Sequence, residues 1–292
     1  MSVDKIINLL VTLTLIQMMV TIGLGVTVAQ VVSVARNPRL LAGAALANYV
    51  AVPLIAVGLL FAFRAPGLAA AGFMMTAVCP GAPYGPPFTG MAKGNVPIAV
   101  GLMVLLAASS AILAPILLHV LLPVTSGDAR LDIDVGKMVE TLLVTQLVPL
   151  VVGMAVRAWR PALADALAGP AKRVSLVLNL AAFGFILAVQ GHLLLGISPA
   201  GFGGMLLLAL LSVAVGWLLG PHEDGGRVAL AFSTGVRNVG VSLVIATASF
   251  PGTPAVTAAL AYALFQTIVL ALLAAAWGKG AGRLAPAPRS AS

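Results

Sequence analysis

The stretch Ala77-Val78-Cys79-Pro80-Gly81-Ala82-Pro83-Tyr84-Gly85-Pro86-Pro87 sets four prolines and two glycines inside a hydrophobic span of membrane length. Proline lacks a backbone donor and clashes with the preceding turn, so a continuous helix cannot pass through it. Unwound backbone is tolerated at membrane depth only where protein covers it or where it lines a polar cavity, which makes the break part of a binding or transport site. A second interruption, Ser233-Thr234-Gly235-Val236-Arg237-Asn238-Val239-Gly240, puts hydroxyls, glycines, an amide and a charge into another apolar span. It stands near the equivalent place in the second half of the chain.

The rest of the composition fits a polytopic membrane protein. Of 292 residues, 61% are hydrophobic and 8% charged, with mean hydropathy +1.11, whereas soluble domains carry about 25% charge. The segments are apolar all round for about twenty residues, which excludes the alternating strands of a membrane β-barrel. The residues after Met1 show no small-residue cleavage pattern, so no removed signal peptide is expected. Cys79 is the single cysteine; it reads as a small buried thiol, and neither a disulfide nor a metal-ligand cluster is expected. No cofactor is implied. Paired carboxylates, nucleophile-base patterns and phosphate loops are missing, which argues against an enzyme.

Nine spans are expected, at about 6–33, 40–63, 66–92 (broken), 96–122, 138–156, 174–196, 199–220, 227–250 (broken) and 253–277. The net charge of +8 lies in short loops and a tail, not on a nucleic-acid-binding surface. Lys5, Arg64, Arg130 and Lys137 fall on one side; Arg36, Arg39, Lys93, Arg157, Arg160, Lys172, Arg173, Arg227, Lys279, Arg283 and Arg289 fall on the other. The excess of bases marks the cytoplasmic face, which puts the N-terminus outside and the C-terminus inside, in a plasma membrane. The segment 278–292, rich in Ala, Pro, Gly and Arg, reads as a disordered tail.

The broken spans are third and eighth, five apart. An inverted repeat of five-helix units lacking its first helix makes them the same element in each half, with repeats at about 6–122 and 138–277. An odd period inverts the topology and brings the two breaks together near the midplane.

Cys79-Pro80-Gly81, Lys93-Gly94-Asn95-Val96 and Ala114-Pro115, which would close the next helix, resemble the first crossover region of the bile acid:sodium symporter family. Gly235, Asn238 and Gly240, followed by Phe250 and Pro254, resemble its second, and Asn48 with Pro53 resembles a further family position. The resemblance implies a panel-and-core transporter fold of ten helices, here nine, and a small organic anion as substrate, carried by alternating access. It also points to departures. Where sodium-coupled members carry a Ser-Asn pair this chain has Gly85-Pro86, and where they carry a glutamate and a glutamine it has Ser233 and Arg237. Loss of the carboxylate removes the anionic ligand of a hard cation, and a guanidinium enters the same space. Altered or absent sodium coupling follows; a sodium-coupled symporter with other oxygen ligands and an anion channel are the alternatives.

Among single residues Arg237 stands out, since a charge at this depth must face a cavity or a partner. It reads either as a strut donating to freed carbonyls or as an anchor for an anionic substrate. Asn238 is the neighbouring substrate contact. Pro83 and Tyr84 precede the second half of the broken third span, whose positive helix end favours a carboxylate. Asn48, Gly85, Pro86, Ser233 and Thr234 complete the crossover or a coupling site. Gln17, Gln146, Gln190 and Gln266 read as interhelical glue, Glu140 as interfacial, and Asp128, Asp132 and Asp134 as a solvated loop cluster.

Overall fold

The computed structural model describes residues 2–65, 67–125, 133–194, 197–222 and 225–283. Asp128, Asp132 and the stretch from 284 onward lie outside the described residues. Among those described, every regular element is helical. Eight helical stretches are long and apolar enough to cross a membrane, and a split pair of shorter helices adds the broken third span.

The first span divides where the sequence predicts one helix: α1 (Val3–Gly25) stops after two glycines, and α2 (Val28–Ala35) starts at Thr27. The Thr27 hydroxyl accepts from Gln30 N–H at 3.3 Å while Gln30 Oε1 accepts from Thr27 N–H at 2.9 Å. This reciprocal capping nucleates a new helix at the bend. Next come α3 (Pro38–Leu46) and α4 (Val52–Phe63), which form one span joined by a π-helical turn at Ala47–Ala51. The broken third span is α5 (Gly67–Ala77) and α6 (Gly85–Met91), separated by the Pro-Gly stretch. Then α7 (Val96–Thr125) runs on through Pro115 and Pro123, so Ala114-Pro115 does not close it.

The second half opens with α8 (Val135–Leu142), capped by Asp134, whose carboxylate accepts from Lys137 N–H at 3.0 Å. A second π turn, Leu143–Leu147, joins it to α9 (Val148–Trp159). Each π turn ends just before a Val-Pro pair, Val52-Pro53 and Val148-Pro149. The proline ring cannot sit over the carbonyl four residues back, and widening the helix by one residue relieves the clash. The widened turns carry the buried amides Asn48 and Gln146. After α10 (Pro161–Leu194) and α11 (Pro199–Leu219) comes the broken eighth span, α12 (Gly226–Gly235) and α13 (Val239–Ser249), and then α14 (Pro254–Arg283). α14 runs to Arg283, so residues 278–283, which the composition assigns to a tail, are helical.

Two groups of helices result. A panel is formed by α1, α8 with α9, and α10; α1 packs along both α9 and α10. Gly23 and Gly153 meet at the α1–α9 crossing, where an added Cβ on Gly23 would lie 2.8 Å from the Gly153 Cα. Everything else forms a core in which α5 packs on α7 and α14, α6 on α7 and α12, and α11 on α4 and α12. Asn8–Thr247 and Thr257–Gln190, both at 3.1 Å, tie panel to core near the ends of their helices. Gln146 ties them near mid-depth, donating to Ala107 O and to Ser110 Oγ. These ties give the scattered glutamines their interhelical role.

Candidate functional site

The two breaks meet and hydrogen-bond to each other. Proline and glycine leave carbonyls free between Ala77 and Gly81, and the second break supplies donors for them. Asn238 N–H donates to Cys79 O at 2.7 Å, Asn238 Nδ2 to Gly81 O at 3.2 Å, and Arg237 Nη1 to Ala77 O at 2.9 Å. Gly81 is indispensable to this approach. Its φ is +83°, in the left-handed region, and a Cβ there would stand 2.6 Å from Ala107 Cα on α7.

Arg237 is 1% exposed. Besides Ala77 O, its guanidinium donates through Nη2 to Asn48 Oδ1, and Asn48 Nδ2 donates in turn to Ala44 O at 2.9 Å and Thr234 Oγ1 at 3.2 Å. The C-terminal ends of the half-helices α5, at Ala77, and α12, at Gly235, lie beside it. The carbonyls and negative dipole ends there favour a cation, and the guanidinium supplies it. The partners of the guanidinium are nevertheless neutral. The ion pair among the described residues is Arg157–Asp165, at 2.7 Å, and Arg237 Nε has no hydrogen-bond partner among those residues.

The sequence-derived crossover residues are brought together unevenly. Asn48, Thr234 and Arg237 form one hydrogen-bonded chain. Gly85 lies against Ser233, a Cβ on the glycine reaching to 3.6 Å from Ser233 Cα, and Ser233 Oγ is buried without a hydrogen-bond partner among the described residues. Pro86 is buried in the first turn of α6. Pro83, Tyr84, Arg237 and Asn238 all border one cavity of about 280 Å³ between panel and core. Its other walls come from α1, α10 and α14, including Thr14, Asn179, Phe183, Gln266 and Thr267.

The structure corrects the expected source of positive potential. The turn starting α6 offers no free donor at its head: Pro86 and Pro87 have no N–H, Gly85 N–H donates to Ala82 O, and Phe88 N–H donates to Tyr84 O, each at 3.2 Å. The start of α13 borders the cavity as well, at Val239 and Gly240, with Val239 N–H donating to Arg237 O at 3.0 Å. Asn238 caps that helix, Oδ1 accepting from Val241 N–H at 3.3 Å. With Nδ2 on Gly81 O, that leaves the Asn238 amide one donor hydrogen for a ligand.

Gln266 has a larger part than interhelical glue. Its Oε1 accepts from Arg237 N–H and its Nε2 donates to Arg237 O, both at 3.0 Å. This two-point clamp replaces the helical bonds that Arg237 gives up in the break. Replacing Gln266 by Leu leaves the buried Arg237 N–H unpaired, at about 1–3 kcal/mol, and leaves Arg237 O only the Val239 N–H, which donates to it at 3.0 Å. A clear drop in thermal stability is expected, measured by denaturation of the purified protein; an unchanged melting curve overturns the clamp. Gln266 is sequence-distant from either break and has no motif around it. Thr14, Asn179 and Phe183 reach the cavity likewise through tertiary packing alone.

Comparison with known proteins places this architecture. The sequence model of the family described as the Sodium Bile acid symporter family matches residues 12–197. The chain belongs to this family. Two relatives illustrate its range. The chain is similar to the Bacillus subtilis (strain 168) protein called "Uncharacterized sodium-dependent transporter YocS", with 26% identity over 244 residues, 80% of this chain and 72% of that one. It is also similar to the Oryza sativa subsp. japonica protein called "Probable sodium/metabolite cotransporter BASS3, chloroplastic", with 23% identity over 270 residues, 90% of this chain and 62% of that one. As a symporter-family member the protein is an integral membrane transporter, which argues against an enzyme. The family match takes in the first break and most of the panel but ends before the second break, where Arg237 sits.

Proposed function

We propose that this symporter-family protein is a secondary transporter of a small organic anion, moved by alternating access between panel and core, in which the Arg237 guanidinium takes over the place of a coupling cation. The observation that carries the reading is a buried arginine with neutral partners on the wall of the panel–core cavity. A buried charge without a counter-charge costs several kcal/mol, and an anion arriving in the cavity offsets that cost. The start of α13 adds positive potential at the same wall.

A sodium ion does not fit the residues present. A hard cation needs several converging oxygens. Here Ala77 O and Asn48 Oδ1 are already accepting from the guanidinium, and the carboxylate expected of sodium-coupled members is replaced by Ser233. Transport coupled to protons, exchange and facilitated diffusion are all compatible with this site. The excess of bases in one set of loops supports an N-terminus outside and a C-terminus in the cytoplasm. Two broken helices are more than a scaffold needs, and a single arginine is a poor lining for a channel.

The test is binding to the purified protein of organic monocarboxylates and their matched neutral amides, in sodium and in choline at equal ionic strength. Anions are expected to raise thermal stability by mass action and the amides to leave it unchanged. Affinity is expected to be the same in both salts. Equal stabilisation by the amides overturns the anion reading, and a strong saturable requirement for sodium overturns the replacement of the cation by Arg237.

A further inference from the structure

We infer that a second cavity, between α8 of the panel and α13 of the core, binds a small apolar α-amino acid as its zwitterion and fastens panel to core while occupied. The cavity measures about 180 Å³ and shares no lining residue with the one at Arg237. Its occupant is therefore independent of the anion proposed there.

One wall is a single face of α8 and its cap, with Asp134, Lys137, Met138 and Leu142 at helical spacing; the other is the last part of α13, which contributes Val244 and Ile245. Met138, Leu142, Val244 and Ile245 are buried and give the cavity an apolar floor. Asp134 and Lys137 are exposed and form a charged rim. They stand three residues apart, a spacing that puts Cβ atoms about 5–6 Å from each other on a helix. Even so they pair neither with each other nor with another described residue, for the ion pair among those residues is Arg157–Asp165. The Asp134 carboxylate is held by its capping bond, Oδ1 accepting from Lys137 N–H at 3.0 Å, and its second oxygen can still accept. The Lys137 ammonium brings three donors.

A simple anion at Lys137 is repelled by Asp134, and a simple cation at Asp134 is repelled by Lys137. A zwitterion meets both, its carboxylate accepting from the lysine and its ammonium donating to the aspartate. An α-amino acid carries these two groups on one carbon, close enough together to bridge two neighbouring positions on a helix face. Its side chain then covers the floor, where the hydrophobic effect favours an aliphatic chain over a polar one. The cavity lies below the 300–1,000 Å³ of sites for drug-sized ligands, in keeping with one amino acid rather than a peptide. Beside it, Asn8 of the panel already donates to Thr247 of the core at 3.1 Å. An occupant touching α8 and α13 adds a second tie at the same end. Under the alternating access proposed above, it restrains panel against core and acts as an allosteric inhibitor.

Calorimetric titration of the full chain in lipid nanodiscs compares L-leucine with 4-methylpentanoate, which lacks the ammonium, 3-methylbutylamine, which lacks the carboxylate, and glycine, which lacks the side chain. Asp134→Asn and Lys137→Gln are each expected to weaken leucine binding about tenfold, the loss of one hydrogen bond to a charged group. Asparagine also caps helices, so Asp134→Asn removes the charge and keeps α8. Ala248→Trp, at an exposed position on the cavity wall, is expected to block the site, and the two charge variants carry the test if it does not fold. Binding that these variants remove belongs to this cavity, which separates it from an anion held at Arg237. In that fraction leucine is expected to bind at least about tenfold more tightly than each of the other three compounds. Absence of leucine binding, leucine binding unchanged in every variant, or variant-sensitive binding of another of the compounds as tight as that of leucine overturns the zwitterion site. Hydrogen exchange tests the bridging. Leucine is expected to slow amide exchange in α8 and α13 together, and protection of one helix alone overturns the tie between panel and core. The anion reading is untouched by each of these results.

Discussion

Replacing Arg237 by Gln is expected to weaken binding of an organic anion by about two orders of magnitude, the size of effect seen when one member of a buried charge pair is removed. The charge disappears from the cavity wall, and the shorter amide cannot serve Ala77 O and Asn48 Oδ1 together. One of these buried acceptors then lacks a donor, which costs about 1–3 kcal/mol. Stability nevertheless changes less than binding, because the same substitution removes an uncompensated buried charge. Replacement by Lys keeps the charge but loses the planar fork that reaches two acceptors, so it falls between the two. Binding isotherms and thermal denaturation of the three proteins separate the roles. If Arg237→Gln binds anions as well as the unaltered protein but melts earlier, the arginine is a strut between the breaks and the anion is held elsewhere.

Gly81→Ala is expected to be the most damaging single-methyl change in the molecule. Its φ of +83° costs an L-residue about 1–2 kcal/mol. The added Cβ would also stand 2.6 Å from Ala107 Cα and clash with the backbone of α7. Overpacking of that kind costs about 1–3 kcal/mol more. Backbone cannot rotate aside as a side chain does, so the first break must pull away from α7. Gly81 O and Cys79 O then move off Asn238, and the two breaks come apart. Loss of anion binding together with a melting temperature lower by on the order of 5 °C is the expected result. A variant that retains both its stability and its binding shows that the break has another way to close. Gly280→Ala, where an added Cβ meets nothing within 4 Å, is the matched control.

The sequence by itself determined that this chain is an all-α membrane protein with two interrupted spans, because both signals are local. A run of apolar residues has nowhere to go but lipid or a core, and Pro80, Pro83, Pro86 and Pro87 cannot continue a helix in any surroundings. It also marked Arg237 as anomalous, since the penalty for a charge at that depth depends on composition and not on neighbours. Local chemistry set finer details too, visible in hindsight: the Thr27–Gln30 cap that splits the first span, and the Val-Pro pairs that force π turns before Pro53 and Pro149. What each group does was a tertiary matter. Whether Arg237 reaches Ala77 and Asn48, 160 and 189 residues away in sequence, depends on how α5 and α12 cross. That Gln266 clamps the Arg237 backbone depends on where α14 packs. The donor-poor start of α6 owes much to Pro86 and Pro87, a local feature, whereas packing alone brings the start of α13 to the cavity. The cavity has no local signature, for it exists between a panel and a core whose residues meet solely because each helix buries its own apolar face, and the gap left between those faces is a property of the packing rather than of any segment.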